Sequence, residues 1–110
     1  MNRSARIKAK RLGRIESEFH PLLVSCLRQC AEGRWGLFGQ NDELPDAHWL
    51  HWPEANRLKQ LAQEIKAAHD ETGTRNDECE RFLMLCALRG PNVPGEPKMA
   101  AALLAEMDER

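Results

Sequence analysis

Apolar residues recur along this chain at the spacing of helices. Phe19, Leu22, Leu23, Cys26, Leu27 and Cys30 stand at i, i+3, i+4, i+7, i+8 and i+11, one face of a 3.6-residue helix. The spacing predicts a helix over about 17–32, with Ser17 as its N-cap and Gly33 as the left-handed residue that ends it. Pro21 fits that reading only in or near the first turn, where amides have no intrahelical partner to lose. Leu58, Leu61, Ala62, Ile65 and Ala68 or His69 predict a second helix from Pro53 to about Glu71, closed by Gly73. Its start is marked by Trp52-Pro53, because a residue before proline avoids the helical region and proline suits the first helical position.

A third helix is predicted in "TRNDECERFLMLCALRGP", with Cys79, Phe82, Leu83 and Cys86 on the inner face and Leu85 and Leu88 widening it. Asn76 or Asp77 caps it, Asp77, Glu78 and Glu80 complement its positive end, and Arg89-Gly90-Pro91 stops it. After the loop "GPNVPGEP", Pro97 opens a last helix through "KMAAALLAEM", with Met99, Ala102, Leu103 and Met107 facing inward. Residues 34–52 read as irregular or only briefly helical: "QNDELPD" is turn chemistry, and Asp46 can cap a short turn through "AHWLHW". The expected fold is all-α, a small irregular four-helix bundle with a long aromatic loop between helices 1 and 2 and a basic N-terminal arm.

Composition supports that fold class. Leu and Ala dominate, Val, Ile and Thr are scarce, and Tyr is absent, an inventory that favours helix over sheet. A length of 110 residues suits one domain, taken as residues 15–110, with 1–14 as an arm. No run approaches the roughly 18 apolar residues that span a bilayer, and no apolar stretch follows the basic start as in a secretory signal. The expectation is a cytoplasmic protein with no membrane partner.

Charge is divided unevenly. Residues 1–14 carry Arg3, Arg6, Lys8, Lys10, Arg11 and Arg14 and no acid, so the chain's net charge of −1 hides a basic arm on an acidic body. The arm suits a phosphate backbone, whereas the body suits a basic protein partner and fast, steered association. As a flexible tail the arm is simply solvated; ordered on RNA, DNA or a lipid surface it contacts phosphates with little sequence specificity; as part of the fold it is a helix through Ile7, Leu12 and Ile15.

Candidate chemistry is sparse. Cys26 and Cys30 lie one helical turn apart, Cys79 and Cys86 two turns apart, so two such faces can in principle form a thiolate zinc site; His48 and His51 offer a second ligand pair. Each cysteine also occupies a position the apolar pattern already requires, and the C-x2-C knuckle of structural zinc sites is absent, so core packing of reduced thiols is the expected role. "GRWGLFG" lacks the Gly-Lys-Ser/Thr of a phosphate loop and follows no strand. No nucleophile, base and oxyanion set is apparent, and no cofactor is expected.

Trp35, Phe38, Trp49 and Trp52 crowd into 18 positions, and such residues are the commonest hot spots of protein interfaces. Packed into the core they are structural; exposed, they are anchors, together with Arg89 and Glu96 around the proline-stiffened loop. The function expected from these features is a non-enzymatic protein-interaction module, a small adaptor or inhibitor docking on a larger protein or ribonucleoprotein. The alternatives are nucleic-acid binding through residues 1–14 and a small Cys/His metalloprotein. A wide apolar stripe also allows a homodimer.

Overall fold

The computed structural model describes residues 3–33, 36–38, 52–88 and 92–108. Among the described residues the chain is all-α, with four helices and no strand: α1 (Arg3–Ala31), α2 (Pro53–Thr72), α3 (Asp77–Ala87) and α4 (Glu96–Asp108). No helix among them is long and apolar enough to cross a membrane. At 1.5 Å per residue α1 runs about 43 Å, against a longest dimension of 49 Å for the molecule. It is the spine: α2 and α4 pack along it, and α3 joins α2 and α4.

α1 begins fourteen residues before the expected cap. Leu12 and Ile15 pack against the core and carry the apolar stripe upstream of Phe19 at i−7 and i−4, so the burial that drives the helix extends past Ser17. Ser17 therefore sits inside the helix, where its hydroxyl donates back to the Gly13 carbonyl at 2.8 Å. Pro21 is also interior, not in a first turn. Having no N–H, it cannot donate to the Ser17 carbonyl, a defect that costs an isolated helix about 3 kcal/mol. Tertiary contacts beside it offset this: Phe19 is fully buried, Glu18 takes both Nε and Nη2 of Arg57 at 2.6 and 3.0 Å, and His20 meets Glu78 at 2.8 Å.

The other termini follow local chemistry. Gly33 and Gly73 adopt the left-handed φ values of 81° and 69° that end α1 and α2. Pro53 starts α2 after an extended Trp52. The Asn76 side chain accepts from the Cys79 amide at 3.0 Å and caps α3, whose first turn holds Asp77, Glu78 and Glu80. Asn76 also donates to Glu16 at 2.6 Å, and the same carboxylate oxygen accepts from His69 Nε2 at 3.0 Å. Because a carboxylate only accepts, His69 carries its proton on Nε2, leaving Nδ1 to face the Thr74 hydroxyl at 2.7 Å. One α1 residue thus fixes both the end of α2 and the start of α3.

The core gathers Phe19, Leu23 and Leu27 of α1, Leu58, Leu61 and Ile65 of α2, Phe82 of α3 and Leu103 of α4. Phe82 is its hub, edge-on to Phe19 with ring centroids 6.4 Å apart and tilted against Phe38 at 6.0 Å. On α4 the buried positions are Glu96, Met99, Ala100 and Leu103. Ala102, expected to face inward, is exposed, and Met107 is half-buried. The reason is that Glu96 faces the core at the helix start, and the i, i+3, i+4, i+7 face it sets runs through Ala100 instead.

Phe82→Ala should lower unfolding free energy by about 3–5 kcal/mol, whereas Met84→Ala on the exposed side of α3 should change it by no more than about 0.5 kcal/mol. Urea unfolding followed by circular dichroism measures both.

Candidate functional surface

The cysteines are core residues. Cys26, Cys30 and Cys79 are buried and Cys86 is half-buried, all as free thiols. Burial pushes the Cys26 and Cys30 thiols up to about 12 and the Cys79 thiol to about 11, with nearby Glu54, Glu96 and Glu80 adding to the respective shifts. Cys79 donates its S–H to the Ala62 carbonyl at 3.1 Å, across from α3 to α2. Among the described residues no three His, Cys, Asp or Glu side chains converge as a metal site, so Cys26, Cys30, Cys79 and Cys86 do not form the thiolate cluster their spacing allowed. His48 and His51 lie outside the described residues.

Three candidate docking anchors also turn out to face inward. Phe38 and Trp52 are 1% and 4% exposed, and Glu96 is 3% exposed. Trp35, Trp49 and Arg89 lie outside the described residues. The burial of Phe38 has an electrostatic cause. A chain segment cannot be buried with its amides unmet, and here Glu96 Oε1 accepts from the Leu37 N–H at 2.8 Å and from the Phe38 N–H. Glu96 stands at the start of α4, where the helix dipole also favours a carboxylate. One buried side chain therefore latches residues 37 and 38 onto α4 and lets Leu37 and Phe38 fill the core. Nearby, burial pulls the Lys59 ammonium below the usual lysine range, against the opposing pull of Cys86 and Glu96. A glutamate directly before a proline at a helix start was the sequence signal for Glu96; its partners, some sixty residues away, left no local trace.

With these groups inside, the most differentiated surface is the outer side of α1. At 100° per residue Arg3, Arg6, Lys10 and Arg14 fall within an arc of roughly 80°, opposite the stripe that packs on the core. All four are exposed, and among the described residues no carboxylate pairs with any of them. Lys8 and Arg11 differ: they lean toward α2, 3.9 Å from Glu71 and 3.8 Å from Glu64. Glu16 and Glu18, the two acids of α1, are taken up by His69 and Asn76 and by Arg57. Arg57 accordingly holds the Glu18 carboxyl below its ordinary value. The positive charge of the face is therefore not cancelled within its own helix.

Lys8 meets Glu71 in the last turn of α2, so the turn bearing Arg3 and Arg6 sits at the end of the molecule. Ile7, 59% exposed, lies at the stripe's edge. Further along the same side a shallow groove runs past His20, Pro21, Val24, Ser25, Arg28 and Glu32. Residues 3–14, expected as an arm, are here the first turns of α1 and carry four cations along one side of it.

Removing the Glu96 carboxylate leaves two buried amides without acceptors. Glu96→Ala should cost about 2–5 kcal/mol, far more than Glu78→Ala at a half-exposed pair, in the same urea assay. The buried thiols make a second prediction. Each stays protonated when folded but ionises near 9 when unfolded, so their contribution is fully present below pH 9 and is lost as pH rises toward 11–12. Thermal unfolding scans between pH 8 and 11 should show a falling midpoint, flattened in a Cys26→Ala/Cys30→Ala variant. Comparison of the chain with protein-family models, with curated proteins and with solved structures found no match.

Proposed function

We propose that this protein is a non-enzymatic binding module, a small adaptor that docks on a larger protein or ribonucleoprotein assembly through the outer face of α1. The observation that carries the reading is the row Arg3, Arg6, Lys10 and Arg14, exposed on one side of a continuous helix while every acid of that helix is engaged elsewhere. Rigid presentation matters, because ordering four long basic side chains and a flexible backbone together would cost much of the binding energy. Four helices arranged as an irregular bundle supply the platform, and the acidic residues of α2 and α3 keep the opposite surface from competing for the same anionic partner. Phe38 and Trp52 serve the platform as core residues.

The test is sedimentation of the tagged chain in a lysate of its host. The wild type should travel with a heavy assembly, and an Arg3→Gln/Arg6→Gln/Lys10→Gln/Arg14→Gln variant should remain at the top of the gradient as free protein. Substitution is preferred to deletion of residues 1–14, because Leu12 packs against the core. A wild type that sediments free, or a quadruple variant that still co-sediments, would refute the reading.

A further inference from the structure

We infer that the anionic group recognised by α1 is the sugar-phosphate backbone of a nucleic acid, held without base readout. The inference rests on the docking role proposed for that face and names its partner. Arg3 to Arg14 spans about 16 Å of helix, so the stripe carries one positive charge per roughly 4–5 Å. A nucleic-acid strand carries one negative charge per about 3.4 Å of duplex axis, sustained over its whole length. Acidic patches on folded proteins are interspersed with both signs of charge and seldom hold such a line. A polyanion is the partner that matches four cations in a row.

A lipid surface fits less well. An interfacial helix buries its apolar side in the membrane, but the apolar side of α1 is committed to Phe82 and the core, and only Ile7 is exposed beside the stripe. Base stacking has no support on this face either, because among the described residues no Phe or Trp lies on it. Arg28 lies on the same side farther along α1 and is exposed. The four stripe residues sit closer to the molecule's end: Arg3 and Arg6 lie beyond Lys8, which meets the last turn of α2 at Glu71, and Lys10 and Arg14 point away from the side where Lys8 and Arg11 meet Glu71 and Glu64. Guanidinium groups predominate in the stripe, as suits bidentate contact with phosphate oxygens.

The experiment is fluorescence anisotropy of the full chain with two 24-base-pair DNA duplexes of unrelated sequence and with a 24-nucleotide single-stranded RNA, between 50 and 200 mM KCl. About four phosphate contacts predict a slope of log K against log salt near −3.6 on duplex, a weakening of about 100-fold over that range, equal for both sequences. Arg6→Gln/Lys10→Gln should bring the slope to about −2 and the quadruple variant to near zero. Arg75→Gln/Lys98→Gln removes the same charge from exposed sites off the stripe and should leave it unchanged. Unchanged circular dichroism and melting temperature establish that the variants are folded.

The inference is overturned if the wild type shows no salt-dependent binding to any of the three nucleic acids. It is equally overturned if the stripe variants bind as tightly as the wild type, or if only poly-glutamate or phosphatidylserine vesicles are bound. Nuclease treatment of the sedimentation lysate separates the two proposals. Co-sedimentation that survives it and still needs the four cations refutes the nucleic-acid partner and leaves the docking role standing.

Discussion

The apolar stripe of α1 is the constraint to which the other helices answer. It runs from Leu12 through Phe19 and Leu23 to Cys30, and both α2 and α4 pack along it. α2 lies antiparallel to it, as the pairs Arg57–Glu18, Arg11–Glu64 and Lys8–Glu71 record. α4 covers the remainder, and α3 closes the gap with Phe82 against Phe19. Burial of apolar area is the dominant favourable term in such a fold. It is strong enough here to hold a proline and a glycine, Pro21 and Gly13, inside one continuous helix.

A helix committed on one side is free on the other, and the charge distribution follows from that division. Both acids of α1 lie where another helix can reach them, whereas Arg3, Arg6, Lys10 and Arg14 lie where none can. The chain's small net charge thus conceals a segregated field. At physiological ionic strength charges more than about 8 Å apart are largely screened, so the acidic body does little to cancel a stripe at the molecule's end. The proposed polyanion contact rests on this segregation.

Glu96 solves a different problem. The connection between α1 and α2 places Leu37 and Phe38 in the core, and buried backbone there needs acceptors that no helix ladder provides. A single carboxylate at the start of α4 meets both amides while complementing its own helix dipole. Leu37 and Phe38 of the connection therefore act as core. Gly33, with its φ of 81°, ends α1 so that the chain can turn back.

Much of this was legible in the sequence, because helices are made of local periodicity. The stripes of α1, α2 and α3, the caps at Gly33, Asn76 and Gly73, and the proline start of α2 are each set by residues within a few positions of one another. The basic cluster and its lack of aromatics were equally plain. What the sequence could not decide were the pairings across long separations. Ser17 looked like a cap until Leu12 and Ile15 found core partners, and Glu96 looked like a loop anchor until the chain brought Leu37 and Phe38 to it. Ala102 and Ala100 differ by two positions and are chemically identical; only the rotation of α4, set by Glu96, decides which is buried. Local propensity is written into neighbouring residues, whereas burial and the satisfaction of buried polar groups depend on which distant segments meet. That meeting is what made residues 3–14 the first turns of α1 and put Leu37, Phe38 and Trp52 in the core.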